Sequence, residues 1–359
     1  MITVVIPTIG RATLRETLAA VGRSVPVIVV DDRRAGAAAL ELPDHVRVVR
    51  SGGRGPAAAR NAGWRAAGTP WVVFLDDDVI PAPGWAEAVW KDLVDLPDDV
   101  GGSQGRIVVP RPVGRRPTDA ERHTLGLSDA LWVTADMAYR RSVLEQTGGF
   151  DERFPRAYRE DADIALRVAR AGHRLVAGER VTTHPVRQDG FWASVRFQRG
   201  NADDALMRHL HGPDWRQAIG GSGGRLRRHA ATSAAALTAA ALGLAATVAR
   251  PSGKGRADRW PERRPGSRPG SRPGSRLGSR PGSRPGGRLD RRPGGWRALP
   301  VLAAIAGALW AAMTAEFAWR RIAPGPRTPR EVWRMAVTSV VIPPVACVHR
   351  LRGEWRWRR

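Results

Sequence analysis

The sequence predicts an α/β domain, a Rossmann-like mixed sheet flanked by helices, followed by C-terminal apolar helices and a disordered basic linker. Three observations carry this. Short β-branched runs alternate with Ala/Leu/Arg-rich segments through the first half. Several of those runs lack polar alternation, as strands buried on both faces of a helix-covered sheet do. Past residue 219 the composition turns to long uncharged stretches separated by a Pro/Gly/Arg array.

Residues 3–6, 25–30, 46–49 and 71–75 read as strands. Between them, residues 11–22 and 56–68 have helical composition with a glycine at or near each end, which gives a βαβ order. From about residue 100 the texture loosens: residues 101–109 and 130–140 read as strands of a looser sheet, and 160–172 as a helix. Residues 230–249 and 298–315 are uncharged and close to the length of a membrane helix. A third apolar stretch, residues 335–348, is too short to span comfortably and is interrupted by Pro343 and Pro344. Residues 265–288 are six tetrapeptides of PGSR type, with Leu277 in place of one Pro and Gly287 of one Ser. A Pro and a Gly in almost every unit prevent a packed core. The expected organisation is therefore an α/β domain over 1–219, an apolar helix over 220–249, a disordered linker over 250–297 and apolar helices with a basic tail over 298–359.

The 359 residues are 42% hydrophobic and 26% charged, enough for a sizeable core and too apolar for wholesale disorder. Of a net charge of +24, residues 250–359 supply 25 Lys/Arg against 6 Asp/Glu, so the basic character belongs to the tail. The single cysteine, Cys347, excludes a disulfide framework and any multi-cysteine metal site. Met1 runs directly into an apolar stretch, so no signal peptide is read and the first domain is expected on the cytoplasmic side.

The chemistry centres on Phe74-Leu75-Asp76-Asp77-Asp78, three carboxylates directly after an apolar strand. Adjacent like charges destabilise one another unless a cation neutralises them, and strand C-termini are where α/β sheets bind ligands. Alternation places Asp76 and Asp78 on one side, where both can face a hard cation holding a diphosphate; a solvated acidic turn is the competing reading. The first strand ends in Ile6-Pro7-Thr8 and the second in Val30-Asp31-Asp32. The third is followed by Gly53-Arg54-Gly55-Pro56-Ala57-Ala58-Ala59-Arg60-Asn61-Ala62-Gly63. Downstream come Met137-Ala138-Tyr139-Arg140-Arg141, Gly148-Gly149-Phe150-Asp151-Glu152 and Glu160-Asp161-Ala162-Asp163.

In order and spacing, residues 1 to about 210 resemble glycosyltransferase family 2, whose fold is the GT-A nucleotide-diphospho-sugar fold. Two positions depart from the family pattern: Arg33-Arg34 follows the VVDD strand where Gly-Ser is usual, and Asp136 stands where many members have Asn. The resemblance implies transfer of a sugar from a nucleoside-diphosphate sugar to a hydroxyl acceptor, inverting and dependent on a divalent cation (Mn2+ or Mg2+), within cell-envelope glycan or glycolipid synthesis. It assigns the nucleotide sugar to Pro7, Thr8, Asp31, Asp32, Arg60, Asp76 and Asp77. Asp78, Asp76 and His184 go to the metal, Glu160 to the acceptor side and Asp161 to the general base. Trp132 is placed on the acceptor side because its ring, like that of Trp192, can stack on a sugar; a core or interface residue is the competing reading. The competing roles are helix-capping or turn carboxylates for Asp31 and Asp161, a packing arginine for Arg60 and a surface histidine before Pro185 for His184.

The apolar stretches favour membrane association, on the cytoplasmic face, and an acceptor carried on a membrane lipid fits them. The basic tail carries no nucleic-acid reading module, so no specific nucleic acid is expected as partner. Three alternatives compete. Gly53-x-Gly55-x-x-Ala58 loosely imitates an NAD fingerprint; the tail could serve nucleic-acid binding; and a processive polysaccharide synthase of the same fold would carry a Q-x-x-R-W motif, which Gln198-Arg199-Gly200-Asn201 lacks.

Overall fold

In the computed structural model, residues 1–186, 190–221, 223–248 and 298–358 are described. The predicted linker, 250–297, lies outside them. The elements in chain order are β1 (Ile2–Thr8), α1 (Leu14–Val21), β2 (Val27–Asp31), β3 (Val46–Arg50), α2 (Pro56–Ala66), β4 (Trp71–Leu75), β5 (Ile80–Pro81), α3 (Trp85–Val94), β6 (Val100–Val108), α4 (Asp119–Leu125), β7 (Asp136–Arg140), α5 (Arg141–Thr147), α6 (Glu160–Arg170), β8 (Arg174–Thr183), α7 (Ala193–Arg196), α8 (Gly200–His211), α9 (Trp215–Ala218), α10 (Leu226–Val248), α11 (Leu299–Ile322) and α12 (Pro329–Trp357).

The strands form one mixed sheet in the order β3-β2-β1-β4-β7-β6-β8-β5. β3, β2, β1 and β4 are parallel, and β7 runs antiparallel to both β4 and β6. The chain moves outward from β1 to β2 and β3, then returns to the other side of β1 as β4. The C-terminal ends of β1 and β4 therefore flank a topological switch point, the usual place for a ligand in such a sheet. β2 and β4 are buried along their whole length, as their unbroken apolar runs predict. Apolar layers cover both faces: Leu14, Leu18, Trp85 and Val89 lie on one side, and Ala57, Trp64, Leu144 and Ile164 on the other. α2 lies so close to β1 that a Cβ on Gly63 would fall 2.2 Å from Val5 Cγ1.

The expectations need three corrections. Of residues 130–140 only Asp136–Arg140 is strand; the preceding loop is held by Gln104, which donates to the Ala130 carbonyl and accepts from the Val133 amide. β8, parallel to β6, was not anticipated, because its arginines hide it. Arg180 in β8 is fully buried against Asp136 and Asp92, so a strand that reads as polar is a core strand. Finally, α12 runs straight through Pro343 and Pro344. Thr328 caps its start, accepting from the Glu331 amide, and packing against α8 supplies the tertiary support that proline removes locally.

The chain divides into two compact units, residues 1–233 with 311–359, and residues 234–310. The first contains the sheet, its helices and all of α12. The second contains most of α10 and the first half of α11. α10, α11 and α12 are each long and apolar enough to cross a membrane by length and composition.

Candidate active site

β1 continues through Pro7 to Thr8, with Pro7 in register with Val30. The Val4 amide and the Thr8 carbonyl both bond toward β2, so by alternation Pro7 faces β4. There the β1–β4 ladder has already ended at Val5 and Phe74. A residue without an N–H thus sits where no ladder bond is required, and the crevice opens beside it.

Across that crevice the three aspartates diverge, because β4 ends at Leu75 and the residues after it turn. Asp77 accepts from Thr8 Oγ1 at 2.6 Å and from Arg11 Nη1 at 2.8 Å, tying the ends of β1 and β4 together. Burial pushes its carboxyl above the usual range, against the Thr8 hydrogen bond and the Arg11 charge. Asp78 Oδ2 accepts from the same Arg11 nitrogen at 3.1 Å, and its Oδ1 lies 3.8 Å from His184 Nε2. Asp76 turns the other way and accepts from Arg60 Nη2 at 2.9 Å. The structure thus brings Asp78 and His184 together and directs Asp76 elsewhere, instead of facing Asp76 and Asp78 to one point.

Part of the cation that the aspartate cluster demands is supplied by the chain. Arg11 was missed in the sequence; its only signal is an arginine three residues after the Pro7-Thr8 pair. Arg60 is 1% exposed. Burial works against its charge, and the carboxylates of Asp76 and Glu160 outweigh that penalty. Its guanidinium donates to Glu160 Oε1 at 2.7 Å and lies 5.7 Å from the centre of the Phe150 ring.

Arg60 thereby links the end of β4 to the start of α6, where Glu160 and Asp161 stand. Burial raises the Glu160 carboxyl to about 8, opposed by Arg60 and reinforced by Asp161. Glu160 Oε2 is buried without a hydrogen-bond partner. Asp161 is half-buried and accepts from the Ala162 amide; burial raises it as well, against that bond and the charge of Arg60.

The start of α6 is held from behind. Arg159, the residue before Glu160, has φ 79°, a left-handed conformation unusual for a side chain other than glycine. Its guanidinium is clamped by Asp204 at 2.9 Å and stacks over Trp215. The Gly148-Gly149-Phe150 turn is pinned to α2 by Asn61, which accepts from the Phe150 amide and donates to its carbonyl. At Gly149, with φ 73°, a Cβ would fall 2.5 Å from Asn61 Oδ1, so the motif glycine is required there.

The second acidic pair is engaged within the chain. Asp31 is buried, and both its oxygens accept from the Arg33 guanidinium at 2.8 Å. Those side-chain bonds hold its carboxyl below the usual range despite burial. Asp32 accepts from Ser51 and from the Arg54 and Gly55 amides, fastening β2 to the glycine turn that begins α2. Asp136 is fully buried and accepts from Arg180, Trp85 and Thr182, which makes it a core residue. Trp132 is half-buried at φ 64° and packs on the α2 side of the sheet.

Among the described residues no group of three or more His, Cys, Asp or Glu side chains is arranged to hold a metal ion. Asp78 and His184 nevertheless make a fitting pair of donors. The Pro185 carbonyl, 2.9 Å from His184 Nδ1, can only accept, so Nδ1 carries the proton. In the neutral ring Nε2 then turns a lone pair toward Asp78 Oδ1. A hard oxygen and an imidazole nitrogen facing each other suit a bridging cation.

Residues 3–164 match the family described as Glycosyl transferase family 2. The pre-mycofactocin glycosyltransferase of Mycobacterium tuberculosis is 32% identical over 254 residues, covering 63% of this chain and 51% of that protein, in each of two strains. The chain thus spans about half the length of the curated relatives it matches. Among solved structures, a mannosyltransferase from Pyrobaculum calidifontis in complex with GDP-Man and Mn2+ aligns with 18% identity and a TM-score of 0.49, covering 98% of this chain and 86% of that one. The glucosyl-3-phosphoglycerate synthase of Mycobacterium tuberculosis with Mn2+, UDP and phosphoglyceric acid aligns with 19% identity and a TM-score of 0.39, covering 59% of this chain and 79% of that one. The aspartates after β4, the Arg-Asn pair of α2 and the Gly-Gly-Phe turn all lie within residues 3–164, the stretch that matches glycosyl transferase family 2.

Proposed function

We propose that the chain transfers a sugar from a nucleoside-diphosphate sugar to a hydroxyl acceptor at a membrane, with inversion. The observation that carries this is the Asp76–Arg60–Glu160 chain of contacts, which couples the switch-point aspartates to the start of α6. In that reading the crevice between β1 and β4 takes the donor, with Pro7, Thr8, Asp31, Asp32, Arg60, Asp76 and Asp77 on the nucleotide-sugar side. Asp161 acts as general base. Burial raises its carboxyl, and when ionised such a carboxylate is a stronger proton acceptor for a hydroxyl than an ordinary one. Glu160 and Trp132 lie on the acceptor side.

Asp78 and His184 would hold a divalent cation, Mn2+ or Mg2+, whose contribution when bound is neutralisation of the departing diphosphate. Asp76, turned to Arg60, joins that set only by swinging away from it. Arg11 supports the same end of the crevice with a fixed positive charge.

The three apolar helices support association with a membrane. In this reading the first unit works on the cytoplasmic face, on an acceptor carried by a membrane lipid, in envelope glycan or glycolipid synthesis. The test is a thermal-shift screen of the full chain in detergent with UDP-, GDP- and dTDP-sugars, with and without Mn2+. Stabilisation that requires both sugar nucleotide and ion supports the reading; none with any donor, ion present, refutes it.

A further inference from the structure

α12 is apolar on the side turned away from the protein. The side turned to the protein carries Met335, Ile342, Pro343 and Ala346 together with Glu331, Thr338, Ser339 and Gly353, all buried. The opposite side carries Trp333, Val340, Pro344, Val348 and Leu351, all exposed, with Trp333 at 66% and Leu351 at 68%. At 3.6 residues per turn these five fall on one narrow stripe about 27 Å long. A water-facing helix shows the opposite arrangement.

The buried side is fastened to the sugar-transfer unit at both ends. Near the start, Glu331 accepts from the Asp119 amide at 3.0 Å, and Thr338 and Ser339 accept from the buried Arg321 guanidinium, which also reaches Asp119 and Ser194. Near the end, a Cβ on Gly353 would fall 2.7 Å from the Ala202 carbonyl of α8, and Trp357 packs on the cluster built from α6, α8 and α9. A helix held along its length by a polar sugar-nucleotide domain cannot place that side in hydrocarbon.

We infer that α12 lies in the plane of the membrane, seating the catalytic unit on an anionic lipid surface through the stripe Trp333–Val340–Pro344–Val348–Leu351, although its length and composition alone would let it span. The charges agree with that occupant. Arg330 and Arg352 are exposed beside the stripe, whereas of the two acidic residues of the helix Glu331 is buried and Glu354 is paired with Arg350. An apolar stripe edged by arginines suits acyl chains beneath anionic headgroups. The inference rests on the membrane association proposed above and specifies its geometry.

The test uses the full chain with Cys347→Ser and, singly, Trp333→Cys, Val340→Cys, Val348→Cys or Leu351→Cys. Each variant carries a nitroxide and is reconstituted in phosphatidylcholine/phosphatidylglycerol vesicles. Depth is read from electron paramagnetic resonance with oxygen and a water-soluble nickel relaxant. The expected result is one shallow depth shared by all four labels, roughly 5–10 Å below the headgroup boundary. A profile deepest at Val340 and Val348, with Trp333 and Leu351 toward opposite faces, would overturn it in favour of a spanning helix. Full nickel access at all four sites would overturn it in favour of a water-exposed face. Donor hydrolysis on the same vesicles reports separately on sugar transfer, so a flat shallow profile with no hydrolysis would reject the activity and keep the membrane geometry.

Discussion

Arg60 and Glu160, a hundred positions apart in the chain, form a buried ion pair at 2.7 Å that joins the glycine-turn helix to the acidic start of α6. Both side chains are only 2% exposed. Such a pair organises a site more than it stabilises a fold, but breaking one side of it strands the other charge.

Replacing Arg60 is therefore expected to cost stability as well as activity. Arg60→Ala should lower the unfolding free energy by about 3–5 kcal/mol, measured by chemical denaturation at pH 9, above the value of about 8 to which burial raises the Glu160 carboxyl, where both partners are charged. Combining it with Glu160→Gln should recover part of that loss. A double variant as unstable as the single one would show that the buried Glu160 charge is not the cause.

Asp161→Asn should leave donor binding intact and reduce transfer on the order of 10²- to 10⁴-fold, the usual contribution of general base catalysis. Donor-induced thermal shift and steady-state transfer rates separate the two effects. Near-normal turnover would remove Asp161 from the role of base.

Because the folded-state carboxyl of Glu160 is raised to about 8, mainly by burial, the folded protein binds a proton there more tightly than the unfolded chain. Its contribution to stability is present below the ordinary glutamate range and is lost as pH rises through about 8. Denaturation midpoints from pH 5 to 9 should fall with pH in the wild-type chain and fall less in Glu160→Gln. The Asp161 carboxyl is raised as well, so the acidic limb of the kcat/KM profile should sit above the normal aspartate range.

Asp78→Asn and His184→Ala should each abolish the Mn2+-dependent part of donor stabilisation, while Arg11→Gln should weaken donor binding without removing the ion requirement. Treating the wild-type chain with EDTA should reproduce the first pair. Mn2+-dependent stabilisation that survives both Asp78→Asn and His184→Ala would place the ion elsewhere.

Asp136→Leu should destabilise the fold, because Arg180 would be left buried without its closest carboxylate, 2.7 Å away. The expected loss is about 3–5 kcal/mol, read by urea denaturation. A variant of near wild-type stability would show that Asp92 alone suffices for Arg180.

The sequence by itself determined the parallel half of the sheet, since short, β-branched, unbroken apolar runs such as residues 27–30 and Trp71–Leu75 read as strands covered on both faces. It also located the aspartates after β4, the Arg60-Asn61 pair and Glu160-Asp161, because each is a local cluster whose chemistry survives without its neighbours. Tertiary structure decided where those groups point. Asp76 and Asp78 diverge because the strand ends before them, and Asp31 is taken by Arg33. The buried arginines behave likewise: Arg180 reads as a solvent residue until Asp136 and Asp92 close around it. Likewise α12 reads as a broken apolar stretch until α8 packs along it. Pairing and burial join residues tens to hundreds of positions apart, and no local pattern of letters records which distant partner will arrive.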